Sequence, residues 1–240
     1  MAERHCILIA DDHPLMRGAL AQAVDRALPR SEIVEAGTLD EVVQAIRLRP
    51  PGAPLDLILL DLNMPGMNGF SGFFLIRLEF PAIPVIVVSA SEDPATVGRA
   101  NDYGASGFIP KSARCEQIAE AIRSVLSGEL WFPVQPELVV RSEDAELADR
   151  LAAFTPQQLR VFMMIAEGKL NKQIAHEIGV TEATVKAHVT MILRKLGVTS
   201  RTQAVIAAAG LLVESPWSVR RSVGASTETI APEERAAPRV

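Results

Sequence analysis

Four short apolar runs end in residues that can do polar chemistry. The run Cys6-Ile7-Leu8-Ile9-Ala10 leads into Asp11 and Asp12, and Leu55 to Leu60 leads into Asp61. Pro84 to Val88 leads into Ser89, and Gly107-Phe108-Ile109 leads to Lys111. Three carboxylates in one crevice repel one another unless a cation or protons intervene. Hard oxygen donors favour Mg²⁺ over zinc or copper, and no cysteine or histidine is expected to change that choice. A lysine and a hydroxyl beside such a cation suit an anion with several oxygens, phosphoryl first among them. A carboxylate can itself be the nucleophile and form an aspartyl-phosphate. The chemistry expected is therefore that of a Mg²⁺-dependent phosphoryl-accepting site.

Elements must bring these ends together. The apolar runs, with Ile33 to Ala36 as a further one, read as strands and alternate with helix-period stretches. Leu15, Leu20, Val24 and Leu28 fall on one helical face, as do Leu39, Val42, Val43 and Ile46. Thr38 and Glu41 form a capping-box pair before the second of these helices. Strands alternating with helices predict βαβ units and a parallel sheet. The fold class expected is an α/β, flavodoxin-like domain with a five-stranded parallel sheet in the order 2-1-3-4-5. In that order strands 1 and 3 flank the point where strand order reverses, which is where such sheets bind ligands. Asp12 and Asp61 would lie side by side there, with Asp11 close by.

The boundaries expected are 4–127 for this domain, 128–152 for a linker, 153–212 for a second domain and 213–240 for a disordered tail. The second domain reads as four short helices. Thr155, Pro156 and Gln158 give an N-cap, a first-turn proline and a capping box. Gly168, Gly179 and Gly197 stand where helices should stop. Asn171 and Thr181 are the expected N-caps of the helices that follow the first two stops. From about Glu182 to Leu196, Val185, Val189, Ile192, Leu193 and Leu196 form an inward stripe. Ala183, Lys186, Ala187, Thr190 and Arg194 form the opposite face, which could enter a major groove. The short turn at Gly179-Val180 has helix-turn-helix spacing.

Charge follows this division. The whole chain is -5, an average that argues against nucleic acid until it is cut: residues 1–130 carry -6 and residues 153–212 carry +4. Cys6 and Cys115 read as buried small residues in a reducing compartment. The start of the chain lacks a signal-peptide pattern. The longest mostly apolar run, Ala204 to Val213, is about half what a membrane helix needs. A cytoplasmic protein without membrane association is expected.

Asp11-Asp12, Asp61-Leu62-Asn63-Met64-Pro65-Gly66, Ser89-Ala90 and Pro110-Lys111 resemble the receiver domain of two-component response regulators. The likeness covers residues 5 to about 127. It implies that Asp61 accepts the phosphoryl group. Asp12, Asp61 and the Asn63 carbonyl would hold Mg²⁺, with Asp11 binding it or positioning a metal-bound water, while Ser89 and Lys111 would contact the phosphoryl oxygens. Phe108 occupies the switch-aromatic position and is expected to rotate inward on activation. Ser112 follows the lysine where the family often has proline.

Phe154-Thr155-Pro156, Asn171-Lys172-Gln173-Ile174-Ala175, Thr184-Val185-Lys186-Ala187-His188-Val189 and Lys195-Leu196-Gly197-Val198 resemble the LuxR-type DNA-binding domain. This likeness implies base contacts from Lys186, Ala187 and Thr190. Lys172, Thr184, Arg194, Ser200 and Arg201 are the candidates for phosphate or backbone contacts. The chain departs from the family at Gln158 and Arg160, where acids are usual, so an internal salt bridge is expected to be missing.

Together the halves are similar to NarL/FixJ-type response regulators. The likeness implies a non-enzymatic transcription regulator switched by phosphorylation of Asp61. Its implied partners are a sensor histidine kinase, double-stranded DNA, a second copy of the chain when phosphorylated, and RNA polymerase. The alternative is a phosphorylation-independent DNA-binding regulator whose receiver serves dimerisation. A phosphatase of the haloacid-dehalogenase kind would need an acid–base residue two positions after the nucleophile, where this chain has Asn63.

Overall fold

The computed structural model describes residues 5–50, 53–133 and 143–211. The tail expected from 213 onward and part of the linker, 134–142, lie outside the described residues. The first half runs β1 (Cys6–Ala10), α1 (Pro14–Ala27), β2 (Glu32–Ala36), α2 (Leu39–Arg47), β3 (Leu57–Asp61), α3 (Ser71–Glu79), β4 (Val85–Ser89), α4 (Pro94–Asp102), β5 (Gly107–Pro110) and α5 (Cys115–Leu126). The five strands pair in parallel in the order β2-β1-β3-β4-β5. The expected fold class and strand order hold.

β1, β3 and β4 are buried along their whole length, because helices cover both faces of the sheet. Side chains alternate between the two faces with a period of two. Ile7, Ile9, Leu57, Leu59, Ile86 and Val88 pack with residues of α1 and α5. Leu8, Ile58, Leu60, Val85, Val87 and Phe108 pack with α2, α3 and α4. Leu15 departs from the expected inward face of α1: it is 91% exposed, one residue into the helix and beyond the sheet's edge.

The second half runs α6 (Glu143–Ala152), α7 (Pro156–Ala166), α8 (Asn171–Glu177), α9 (Glu182–Leu196) and α10 (Arg201–Ala209). Both hydrogen bonds of the Thr155–Gln158 capping box form, at 3.2 and 3.1 Å. Thr181 caps α9 by accepting from the Thr184 N–H. Gly197 ends α9 at φ 69°, a left-handed conformation in which a Cβ is strained. Asn171 is not the N-cap of α8. Leu170 takes that place, with its N–H bonded to Gln173 Oε1, and Asn171 Oδ1 instead accepts from Arg201.

The two halves pack along α3, α4, α6 and α7. Tyr103, at the end of α4, is 3% exposed. Its ring packs edge-on against Phe70 and tilted against Phe74. Its hydroxyl lies 3.0 Å from Asp144 Oδ1 and 3.1 Å from the Gly210 carbonyl. The Phe70 N–H donates to the Leu211 carbonyl at 2.8 Å. At the other end of the seam, Glu79 accepts from Arg47 of α2 and from Arg160 of α7, at 2.5 and 2.8 Å. A crevice of about 270 Å³ follows the seam, between Leu39 and Leu75 on one side and Met163 and Met164 on the other.

After α5 the chain returns to the sheet. Trp131 bridges the outer edge of β5, with the Phe108 N–H donating to its carbonyl at 2.8 Å. A Cβ at Gly107 would lie 2.9 Å from that carbonyl, so glycine is what admits the approach.

Candidate functional site

Asp11 and Asp61 follow paired residues: Ala10 is in register with Leu60 across β1 and β3. That register puts both carboxylates at the carboxyl ends of adjacent strands, at the reversal of strand order. Asp11 and Asp61 are fully buried, and Asp12 is about one-third exposed. The ligand atoms of Asp11, Asp12, His13 and Asp61 all lie within 4.8 Å of one another. Lys111, just past β5, reaches across to Asp11 Oδ2 at 2.7 Å and Asp61 Oδ2 at 2.9 Å. Three carboxylates and one ammonium leave this crevice at -2.

The field of the crevice shows in its pKa values. Burial pushes the Asp61 carboxyl up, and Lys111 partly opposes that. Burial alone would lower Lys111, but the hydrogen bonds to Asp11 and Asp61 outweigh it and raise the ammonium. The lysine is therefore held charged against the aspartates.

The other predicted residues fall around this cluster. The Asn63 N–H donates to Asp61 Oδ1 at 3.2 Å, and its side chain is exposed. Ser89 is fully buried, and its hydroxyl accepts from the Ser91 N–H at 3.1 Å. The Lys111 N–H donates to the Ser89 carbonyl, tying the last residue of β4 to the lysine. Phe108 already has 0% exposure, so an inward rotation from a solvent-facing position does not start from this structure. The cluster also holds a histidine that the sequence pattern did not single out. His13 Nδ1 lies 2.5 Å from Asp12 Oδ1 and 3.4 Å from Asp11 Oδ1. Its place directly after the aspartate pair was the available signal.

The donor set fits a hard divalent cation. Asp12 Oδ1 is buried as an atom inside this group of carboxylates, with His13 Nδ1 against it at 2.5 Å. The residual charge of the crevice matches that of the cation.

In the second half, Lys186, Ala187, Thr190, Thr184 and Arg194 are all exposed on α9. The receiver does not cover this face; its contacts run to α6, α7 and the end of α10. The face is not free of acid, because Glu182 lies 3.4 Å from Lys186. An exposed pair of this kind is worth only about 0.3–0.5 kcal/mol. Thr190 donates its hydroxyl to the Lys186 carbonyl. Lys172 and Ser200 are exposed, whereas Arg201 is turned inward to Asn171 Oδ1 and the Lys169 carbonyl. The two departures from the family pattern have partners. Gln158 accepts from Lys195 at 2.6 Å inside the domain, and Arg160 pairs with Glu79 of the receiver.

Comparison with known proteins agrees with both halves. Residues 7–123 match the response regulator receiver domain, and residues 152–208 match the bacterial regulatory proteins of the luxR family. The chain is 44% identical over 212 residues to the glycerol metabolism activator of Pseudomonas putida, covering 84% of this chain and 94% of that protein. It is 36% identical over 204 residues to the nitrate/nitrite response regulator protein NarP of Escherichia coli K12, covering 83% and 92%. Among solved structures, RcsB in two dimers bound to two parallel DNAs superposes with a TM-score of 0.51 at 20% identity, over 87% of this chain and all of that one. The chain belongs to the NarL/FixJ family of two-component response regulators, with a receiver domain and a LuxR-type helix-turn-helix. Among the described residues, no helix is long and apolar enough to cross a membrane.

Proposed function

We propose that this protein is a transcription regulator whose DNA binding is set by phosphorylation of Asp61. The observation that carries the reading is the crevice itself. A buried aspartate ends the central strand, salt-bridged to Lys111 at 2.9 Å, with the buried Asp11 beside it and Asp12 at the mouth.

In this reading a sensor histidine kinase presents a phosphohistidine. An Asp61 carboxylate oxygen attacks the phosphorus, the P–N bond breaks, and the imidazole leaves with the bonding pair. Asp11, Asp12, Asp61 and the Asn63 carbonyl would hold Mg²⁺, which when bound neutralises charge on the phosphoryl oxygens. Lys111 meets one of those oxygens, and the Ser89 hydroxyl meets another. Ser89 must first leave the Ser91 N–H, a bond worth about 1 kcal/mol net. The loop from Ser89 to Asp93 leads directly into α4, whose end holds Tyr103 against Asp144 and Gly210. Displacing that loop therefore loads the seam between the halves, a two-state element of the kind a phosphoswitch needs. Phe108 contributes from within the core, through its backbone bond to Trp131.

The output is DNA binding by α9, with Lys186, Ala187 and Thr190 toward bases. Lys172, Thr184, Arg194, Ser200 and Arg201 are assigned to the backbone, with Arg201 having to leave Asn171. The DNA-bound RcsB dimers support a homodimer that places two such helices on one duplex; RNA polymerase is a further partner that rests on the family resemblance alone. The name of the Pseudomonas putida relative supports activation as the outcome. The test is selection of binding sites from random double-stranded DNA with the phosphorylated protein. Lys186→Ala should weaken binding to the selected site by about 1–3 kcal/mol and relax one base position. Unchanged affinity and unchanged selected sequence would remove α9 as the reading helix.

A further inference from the structure

We propose that Ser112 is a positioning residue for phosphoryl transfer: its hydroxyl holds Glu92, and through it the loop after β4, in the resting arrangement. The inference rests on the reading of Asp61 as the phosphoacceptor and of Ser89 as the hydroxyl that meets a phosphoryl oxygen. Ser112 directly follows Lys111, and Glu92 lies three residues past Ser89. The Ser112 hydroxyl donates to Glu92 Oε1. A proline, which receivers often carry at this position, has no side-chain donor and could not make this bond.

Both partners are set by their surroundings. On the β5 side, the Ala113 N–H donates to the Pro110 carbonyl at 2.9 Å, closing the turn that presents Ser112. On the β4 side, Ser89 is in register with Pro110, and the Lys111 N–H donates to the Ser89 carbonyl at 2.7 Å. The backbone of Ser89 is therefore anchored, and what can change is its hydroxyl and the loop beyond it. That hydroxyl accepts from the Ser91 N–H at 3.1 Å. Glu92 comes next, directly before Asp93, whose carboxylate accepts from the Ala95 N–H at 3.3 Å as the N-cap of α4. The Ser112–Glu92 bond thus ties the loop after β4 to the turn after β5 and holds the entry to α4. For Ser89 to turn to a phosphoryl oxygen, the Ser91 amide must withdraw, and Glu92 moves with it. A contact made only in the resting arrangement disfavours the other arrangement by what the contact is worth. For one hydrogen bond that is about a two- to tenfold effect.

The test is the initial rate of labelling of the full-length protein by acetyl phosphate in Mg²⁺, for the wild type, Ser112→Ala, Ser112→Thr, Glu92→Ala and the double variant Ser112→Ala with Glu92→Ala. Ser112→Ala should label about two- to tenfold faster than the wild type. Ser112→Thr keeps a hydroxyl and should label at the wild-type rate. In the Glu92→Ala background, Ser112→Ala should add nothing, because the partner is already gone. Both residues are exposed, and urea unfolding serves as the folding control. A Ser112→Ala rate equal to or below that of the wild type, a Ser112→Thr rate as fast as that of Ser112→Ala, or a gain that survives undiminished in the Glu92→Ala background would overturn the role of Ser112 while Asp61 stands as acceptor. Failure of the wild type to label, or label mapped to another residue, would overturn the reading of Asp61 and this inference with it.

Discussion

Asp61→Asn is expected to abolish labelling of the protein by acetyl phosphate. The amide has no anionic oxygen to attack phosphorus, and no other carboxylate of the cluster ends the central strand. Loss of fold is not the expected cause. Burial raises the Asp61 carboxyl in the native state, so the folded protein binds its proton more readily than the unfolded chain does. The ionised side chain therefore opposes folding, over the window from the ordinary carboxylate range up to the raised value and at every pH above it. A neutral amide removes that opposition, and the variant should be at least as stable as the wild type at neutral pH. Urea unfolding checks the second point and mass mapping of the phosphorylated peptide the first. Equal labelling of Asp61→Asn would move the acceptor elsewhere.

Lys111→Met carries the largest expected loss of stability. Lys111 is the countercharge of two fully buried aspartates. Removing one partner of a buried pair costs about 3–5 kcal/mol, because the charge left behind stays uncompensated. The lower end, about 3 kcal/mol, is expected here, since Lys111 keeps 19% side-chain exposure and Asp61 can take up a proton. The deficit should shrink in saturating Mg²⁺, which supplies the missing positive charge and stabilises the native state by mass action. Urea unfolding with and without Mg²⁺ measures both effects. A loss that Mg²⁺ leaves untouched would mean that Lys111 acts through packing and that the cluster does not hold a cation.

The acid cluster was legible because its signals are local. An aspartate that ends an apolar run is visible in the run itself, and parallel topology then carries all the strand ends to one edge. The same holds for α9, whose inward stripe and outer face are both periodic. What escaped depends on contacts between residues far apart in the chain. Tyr103 is buried only because α6 and the end of α10 come to rest on α4. Asn171 gave up the capping role because Arg201, thirty residues on, takes its side-chain oxygen. Arg160 read as a lost salt bridge within the DNA-binding half, and it gained Glu79 in the other half. Phe108 carries the right aromatic type at the expected position, but pattern alone does not say which way a side chain points at rest. His13 escaped for another reason: three residues beyond the end of β1, its direction depends on the helix turn that Pro14 starts.

The seam gives these contacts a consequence. Its two ends, Tyr103 with Asp144 and Gly210, and Glu79 with Arg160, hold the halves together while α9 faces solvent. Control of DNA binding in this protein is therefore not explained by covering of the reading face. The arrangement of the two halves, held at both ends of the seam, is the element left to carry that control.

The most direct measurement is the affinity of the full-length protein for its selected DNA site, with Mg²⁺ present and with or without acetyl phosphate, for wild type and Asp61→Asn. The account predicts that acetyl phosphate tightens binding by the wild type and leaves Asp61→Asn unchanged. Wild-type affinity that does not respond to acetyl phosphate, in protein shown to carry the phosphoryl group on Asp61, would contradict it.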